Sequence, residues 1–110
     1  STDSCDYVDF AEKVARSVAS GECDYGVLFC TSGEGMIMSA NKINGIRAGI
    51  AYNEDVASAM RRHNNANIIA FGSKFMDNED VVKRIKIFLT TDFEGGRHQR
   101  RVDKIIALEK

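Results

Sequence analysis

GVLFCTSGEGMIMSANK, residues 26–42, changes character twice. GVLFC is apolar and bounded by turn residues, so it reads as a short buried strand. Thr31, Ser32, Gly33, Glu34 and Gly35 follow as a turn of small and polar residues, and the spacing then predicts a helix from near Met36. A buried strand, a tight turn and a helix in that order are half of a βαβ unit.

The same grammar repeats on both sides. IRAGIAY, residues 46–52, reads as a second strand and NIIAFG, residues 67–72, as a third. Between them NEDVASAMRRHN reads as a helix capped by Asn53, with Glu54 and Asp55 in its first turn and Arg61 and Arg62 in its last. NEDVVKRIKIFLTT predicts another helix, capped by Asn78. Upstream, Tyr7, Phe10, Val14 and Val18 recur at helical spacing between a cap at Asp6 and a stop at Gly21. From Arg97 the tail carries Val102, Ile105 and Ile106 on one side and reads as a final helix. Alternating strands and helices give an α/β fold: one domain over residues 1–110, a three-layer Rossmann-like parallel sheet flanked by helices. Three strands are few for such a sheet, and the leading helix has no strand before it. The expectation is therefore a domain lacking its N-terminal β-α-β portion.

Composition sets outer limits. The chain has 110 residues, 44% of them hydrophobic, and a formal net charge of -1. A balance this near zero points neither to nucleic acid nor to an anionic membrane surface, so any anion site must be local. No apolar stretch reaches the ~20 residues that span a bilayer. The three cysteines have no metal-binding spacing, and their odd number points to reduced thiols and a cytoplasmic protein.

Three places carry chemistry. Cys30 ends a parallel strand, and ligands of such sheets sit beyond the strands' carboxyl ends. The turn after it can aim backbone amides at an anion, because Gly33 and Gly35 tolerate positive φ and close approach. A cysteine before a Ser/Gly turn also suggests a phosphatase loop, but that chemistry needs an arginine six residues on, where Met36 stands. The second place is EGGRHQRR. Arg97, His98, Arg100 and Arg101 open a helix with cations, against the dipole, at roughly 0.3–1 kcal/mol each. Arg97 and Arg101 share a face and could grip a phosphate, which would reverse that sign. The third place is RRHNNAN, where His63 and Asn64 close a helix: a titratable imidazole beside an amide. Each has a plainer reading, as a buried thiol, a solvated basic face and a dipole partner respectively.

Together, GVLFC, SGEG, SANKINGIRAGI, SAMRRHNNANIIAFGSK and FEGGRHQRRVDKI resemble ribose-5-phosphate isomerase type B, in the sugar-phosphate isomerase family that includes galactose-6-phosphate isomerase. The resemblance implies an aldose–ketose isomerase acting through an enediolate, with no metal and no redox cofactor. It implies that Cys30 is the base moving a proton between C1 and C2. Thr31, Ser32, Gly33, Glu34 and Gly35 would form the loop that holds the developing charge, with Ser32 contributing a hydroxyl. His63 would open the sugar ring beside a substrate-binding Asn64, and Arg97, Arg101 and Lys74 would bind phosphate. Thr31 stands where the family usually has glycine, and Lys74 where it usually has arginine. Family members begin with a strand ending in an Asp-His pair that is not in this sequence. Met36 occupies the position of the glutamate base used by another branch, which places this chain in the cysteine branch. The alternatives are a non-catalytic sugar-phosphate-binding module and an isomerase of a six-carbon sugar phosphate. Finally, Cys30 belongs to the sheet's carboxyl edge, whereas His63 and Arg97 belong to the opposite one. That predicts a homodimer with two shared sites, or a dimer of such dimers.

Overall fold

A computed structural model describes residues 6–72 and 76–109. Helix α1 (Tyr7–Ala19) leads into strand β1 (Gly26–Cys30), and α2 (Glu34–Ala40) into β2 (Ala48–Ile50). Helix α3 (Glu54–Arg62) precedes β3 (Ile68–Gly72), and α4 (Asn78–Thr90) and α5 (Arg97–Ile106) complete the order. The strands are parallel and lie in the order β1-β3-β2, with Gly26 beside Ile68 and Cys30 beside Gly72. The path from β1 to β2 runs across the sheet one way, and that from β2 to β3 runs back. Right-handed crossovers then require α2 and α3 to cover opposite faces.

The core follows this arrangement. β3 is buried along its whole length, and its side chains alternate between two clusters. Ile68 and Ala70 join Ala11, Ala15, Leu28 and Ala40 under α1 and α2. Ile69 and Phe71 join Ala57, Met60, Val81 and Phe88 under α3 and α4. This is the three-layer α/β/α arrangement expected from the sequence.

The local differences have physical causes. β2 covers residues 48–50 rather than 46–52. The Asn67 side chain accepts the Arg47 amide at 2.8 Å and donates to the Gly45 carbonyl at 2.8 Å. These side-chain bonds stand beside backbone ones, since the Asn67 amide also donates to the Arg47 carbonyl at 2.9 Å, and β3 begins at Ile68 instead of Asn67. The N-cap of α4 is Asp77 and Asn78 is its first helical residue, because two adjacent residues of capping type compete for one position. α2 starts at Glu34, two residues before Met36, which is buried in the core. Asn53 caps α3 as expected, accepting the Val56 amide at 2.8 Å.

Arg61 departs furthest from its expected role. It is only 6% exposed and fans its donors across three segments. Nε donates to the Thr91 carbonyl at 3.2 Å, Nη1 to the Ala66 carbonyl at 2.6 Å and to Asn65 Oδ1 at 3.0 Å, and Nη2 to the Tyr25 hydroxyl at 3.3 Å. Its guanidinium also lies 5.1 Å from the centre of the Tyr25 ring. This residue ties the end of α3 to the turn before β1 and to the end of α4. Arg61→Ala strands several buried acceptors and is expected to destabilise the fold by about 3 kcal/mol. Chemical denaturation checks this, and a loss below about 1 kcal/mol would contradict the role. Arg61→Lys should rescue little, since an ammonium cannot reproduce the planar fork.

Candidate active site

The crevice at the carboxyl edge is built around Cys30. Its thiol is half-buried at the end of β1, and Sγ accepts the Gly33 amide at 3.0 Å. Gly33 has φ of 85°, a left-handed value that lets the chain double back onto the sulfur. The loop then crosses the end of β3 so closely that a Cβ on Gly72 would lie 2.6 Å from the Ser32 carbonyl oxygen. Gly72 is therefore what allows the loop to lie flat over the sheet. Thr31 and Ser32 are exposed, and Ser32 Oγ accepts the Glu34 amide at 3.4 Å. Gly35 lies under the Tyr7 ring, where a Cβ would come within 2.5 Å of the ring edge. The exposed Glu34 carboxylate accepts a 2.9 Å hydrogen bond from Tyr52, two residues beyond β2. That bond, with the carboxylate's charge, holds the Tyr52 phenol above its ordinary range. The result is a fixed shelf of loop backbone with a thiol at its back and two tyrosines at its rim.

A second constellation forms where α3 ends and α5 begins. His63 is the C-cap of α3, and the Glu94 amide donates to the Arg62 carbonyl at 3.0 Å, drawing the start of α5 alongside. The His63 and His98 rings stack with centroids 4.3 Å apart and planes 17° from parallel. Glu94 Oε1 lies 3.9 Å from His63 Nε2 and 3.7 Å from His98 Nε2, while Oε2 lies 3.4 Å from Arg62 Nη1. Burial first, then the charges of His63 and Arg97, press the His98 imidazole below its ordinary range, with Glu94 pulling the other way. Arg97 and Arg101 are exposed on the first turns of α5, which holds no acidic residue in its first turn.

His63, Glu94 and His98 bring three potential metal ligands within 4.8 Å of one another. Their orientation suits a proton better than an ion. An imidazole lone pair lies in its ring plane, so two stacked, nearly parallel rings cannot aim at one metal without one of them turning.

Cys30 and residues 31–35 are thus grouped, and so are His63, Arg97 and Arg101. The two groups lie at opposite edges of the sheet. Cys30 is level with Gly72, whereas His63 precedes Ile68, at the other end of a strand roughly 17 Å long. Asn64 is exposed beside His63 and lines a cavity of about 700 Å³ with Ile46, Met60, Ile105 and Leu108. Lys74 lies outside the described residues. Sequence reasoning did not single out Glu94, Tyr7 or Tyr52, and placed His98 only among the cations of its helix. The carboxylate stands four residues before His98, but Glu94 precedes the helix, so that spacing fixes no common face. No helix among the described residues is long and apolar enough to cross a membrane.

Comparison with known proteins agrees with this architecture. A model of the ribose/galactose isomerase family matches residues 1–105. Ribose-5-phosphate isomerase B of Escherichia coli K12 is 41% identical over 110 residues, all of this chain and 74% of that protein. The crystal structure of a ribose 5-phosphate isomerase from Thermotoga maritima superposes with a TM-score of 0.93 at 42% identity, over 98% of this chain and 74% of that one. Ribose-5-phosphate isomerase B of Mycoplasma genitalium, crystallised with bound ribulose-5-phosphate, gives a TM-score of 0.89 at 43% identity, over 94% of this chain and 68% of that one. Sheet order, helix placement and sequence agree across nearly the whole chain, which therefore belongs to the ribose/galactose isomerase family.

Proposed function

We propose that the chain is an aldose–ketose isomerase that interconverts ribose 5-phosphate and ribulose 5-phosphate. The observation that carries this reading is the Cys30 thiol at the end of β1 with the loop of residues 31–35 folded onto it, so that the Gly33 amide donates to its sulfur. The kinship with a protein crystallised with ribulose-5-phosphate supports the choice of substrate. In the first step the ring oxygen takes a proton from His63 as the ring C1–O bond breaks, and the C1 hydroxyl gives up its proton to water. Asn64 holds the sugar beside the imidazole. The Cys30 thiolate then removes the proton from C2. The resulting enediolate is held by the loop amides and the Ser32 hydroxyl, the proton of the C2 hydroxyl passes to the C1 oxygen, and the proton carried by Cys30 is delivered to C1, which leaves the carbonyl at C2 of the ketose. A positioned base contributes roughly 10²–10⁴-fold and one oxyanion donor about 10²–10³-fold. The sugar itself supplies the carbonyl and the acidic C–H, so neither electrons nor a cofactor need to be exchanged. A coupled assay with ribose 5-phosphate, allose 6-phosphate and galactose 6-phosphate tests the assignment. Turnover of the pentose phosphate is expected, turnover of a hexose phosphate alone would move the substrate class, and no turnover would leave a binding module.

The phosphate is assigned to Arg97 and Arg101. Arg97→Ala and Arg101→Ala should each raise KM, since losing one charge-assisted hydrogen bond costs about 1.5–3 kcal/mol. Inorganic phosphate should raise the melting temperature of the wild type more than that of the double variant. Equal stabilisation of the two would remove this site.

The proposed assembly is a homodimer in which one subunit's Cys30 shelf faces the other's His63 and Arg97. Two arguments support it. Neither constellation alone can both open the ring and move the C2 proton. In addition, Ile105 and Leu108, beside the cavity at the His63 edge, are 44% and 82% exposed, more apolar surface than a lone subunit leaves uncovered at little cost.

A further inference from the structure

Arg62, Arg97 and Arg101 set three cations around the paired imidazoles: Arg62 Nη1 lies 3.4 Å from His63 Nε2, and the charges of Arg97 and Arg101 oppose protonation of His98. Against them stands Glu94, the only carboxylate within ion-pair range of either ring among the described residues. Two imidazolium rings stacked at 4.3 Å would repel, so the pair holds one proton at a time. The two sites are unequal. The His98 side chain is 11% exposed and that of His63 39%, so desolvation disfavours a charge on His98, the more buried of the two.

We infer that Glu94 is a positioning residue for proton transfer: its Oε1, shared by the stacked rings of His63 and His98, keeps a single proton on His63, where it can be given to the sugar's ring oxygen. The inference rests on the reading of His63 as the ring-opening group. At 3.7 and 3.9 Å the contacts are ion-pair contacts longer than hydrogen bonds, as is common in unliganded sites that tighten around substrate. Arg62 Nη1, 3.4 Å from both Glu94 Oε2 and His63 Nε2, limits how far the carboxylate can swing. Without the carboxylate the three arginines act unopposed on the stacked pair.

The experiment is an NMR titration of the His63 and His98 ring nitrogens in the wild type, Glu94→Gln and Glu94→Asp, with the pH profile of kcat/KM for ribose 5-phosphate measured on each. Glu94→Gln should move protonation of the pair to lower pH. It should draw the alkaline limb of the rate profile down with it, and lower kcat/KM at neutral pH roughly tenfold. Glu94→Asp, which keeps the charge, should restore part of both shifts even if the Gln variant is less stable. Unchanged imidazole titration in Glu94→Gln overturns the inference. A shifted titration with an unmoved rate profile overturns instead the ring-opening role of His63, and with it the catalytic half of the inference.

Discussion

Cys30→Ala is expected to abolish turnover while leaving phosphate binding intact. In the proposed mechanism the thiol at the end of β1 exchanges the proton with carbon, and the loop that would hold the enediolate is folded directly onto its sulfur. Removing a positioned base costs roughly 10²–10⁴-fold in kcat. Glu34 cannot readily take over, because its carboxylate is engaged by Tyr52 at 2.9 Å. The Arg97 and Arg101 face lies at the other edge of the sheet, so thermal stabilisation by inorganic phosphate should be the same in Cys30→Ala and wild type. Near-normal kcat in the variant would remove Cys30 as the base. Cys30→Ser then separates packing from chemistry: the hydroxyl fills the space but remains protonated near neutral pH, so it should be almost as inactive.

Much of this arrangement could be read in the residues. GVLFC and NIIAFG are short apolar runs between turn signals, and both form strands at or within one residue of the expected limits. Cys30 and the 31–35 loop were legible because strand, turn and helix are contiguous, so their proximity is a matter of sequence. The start of β2 was not, because the chain before it is held by the Asn67 side chain reaching Gly45 and Arg47. Arg61 reads as an ordinary cation at a helix end. Its burial appears only once Tyr25, Ala66 and Thr91 converge on it from three segments. Glu94 was hidden for the same reason. Its approach to His63 depends on α4 returning the chain to the end of α3, a contact between residues far apart in sequence.

Within one subunit, the shelf that holds Cys30 and the cluster that holds His63 are separated by the length of a strand. A two-fold axis that sets one chain's carboxyl edge against the other's His63 edge resolves this, because an isologous contact repeats itself and creates two equal sites. The consequence is a recovery of function from two dead proteins. Inactive Cys30→Ala and inactive His63→Ala subunits are mixed in equal amounts and allowed to exchange, with exchange verified by native mass spectrometry. In a mixed dimer one site carries both lesions and the other carries neither. Random pairing makes half the dimers mixed, so activity should return to about a quarter of the wild-type value. If mixed dimers form and the solution stays inactive, base and ring-opening group act within a single chain, and the shared active site is wrong.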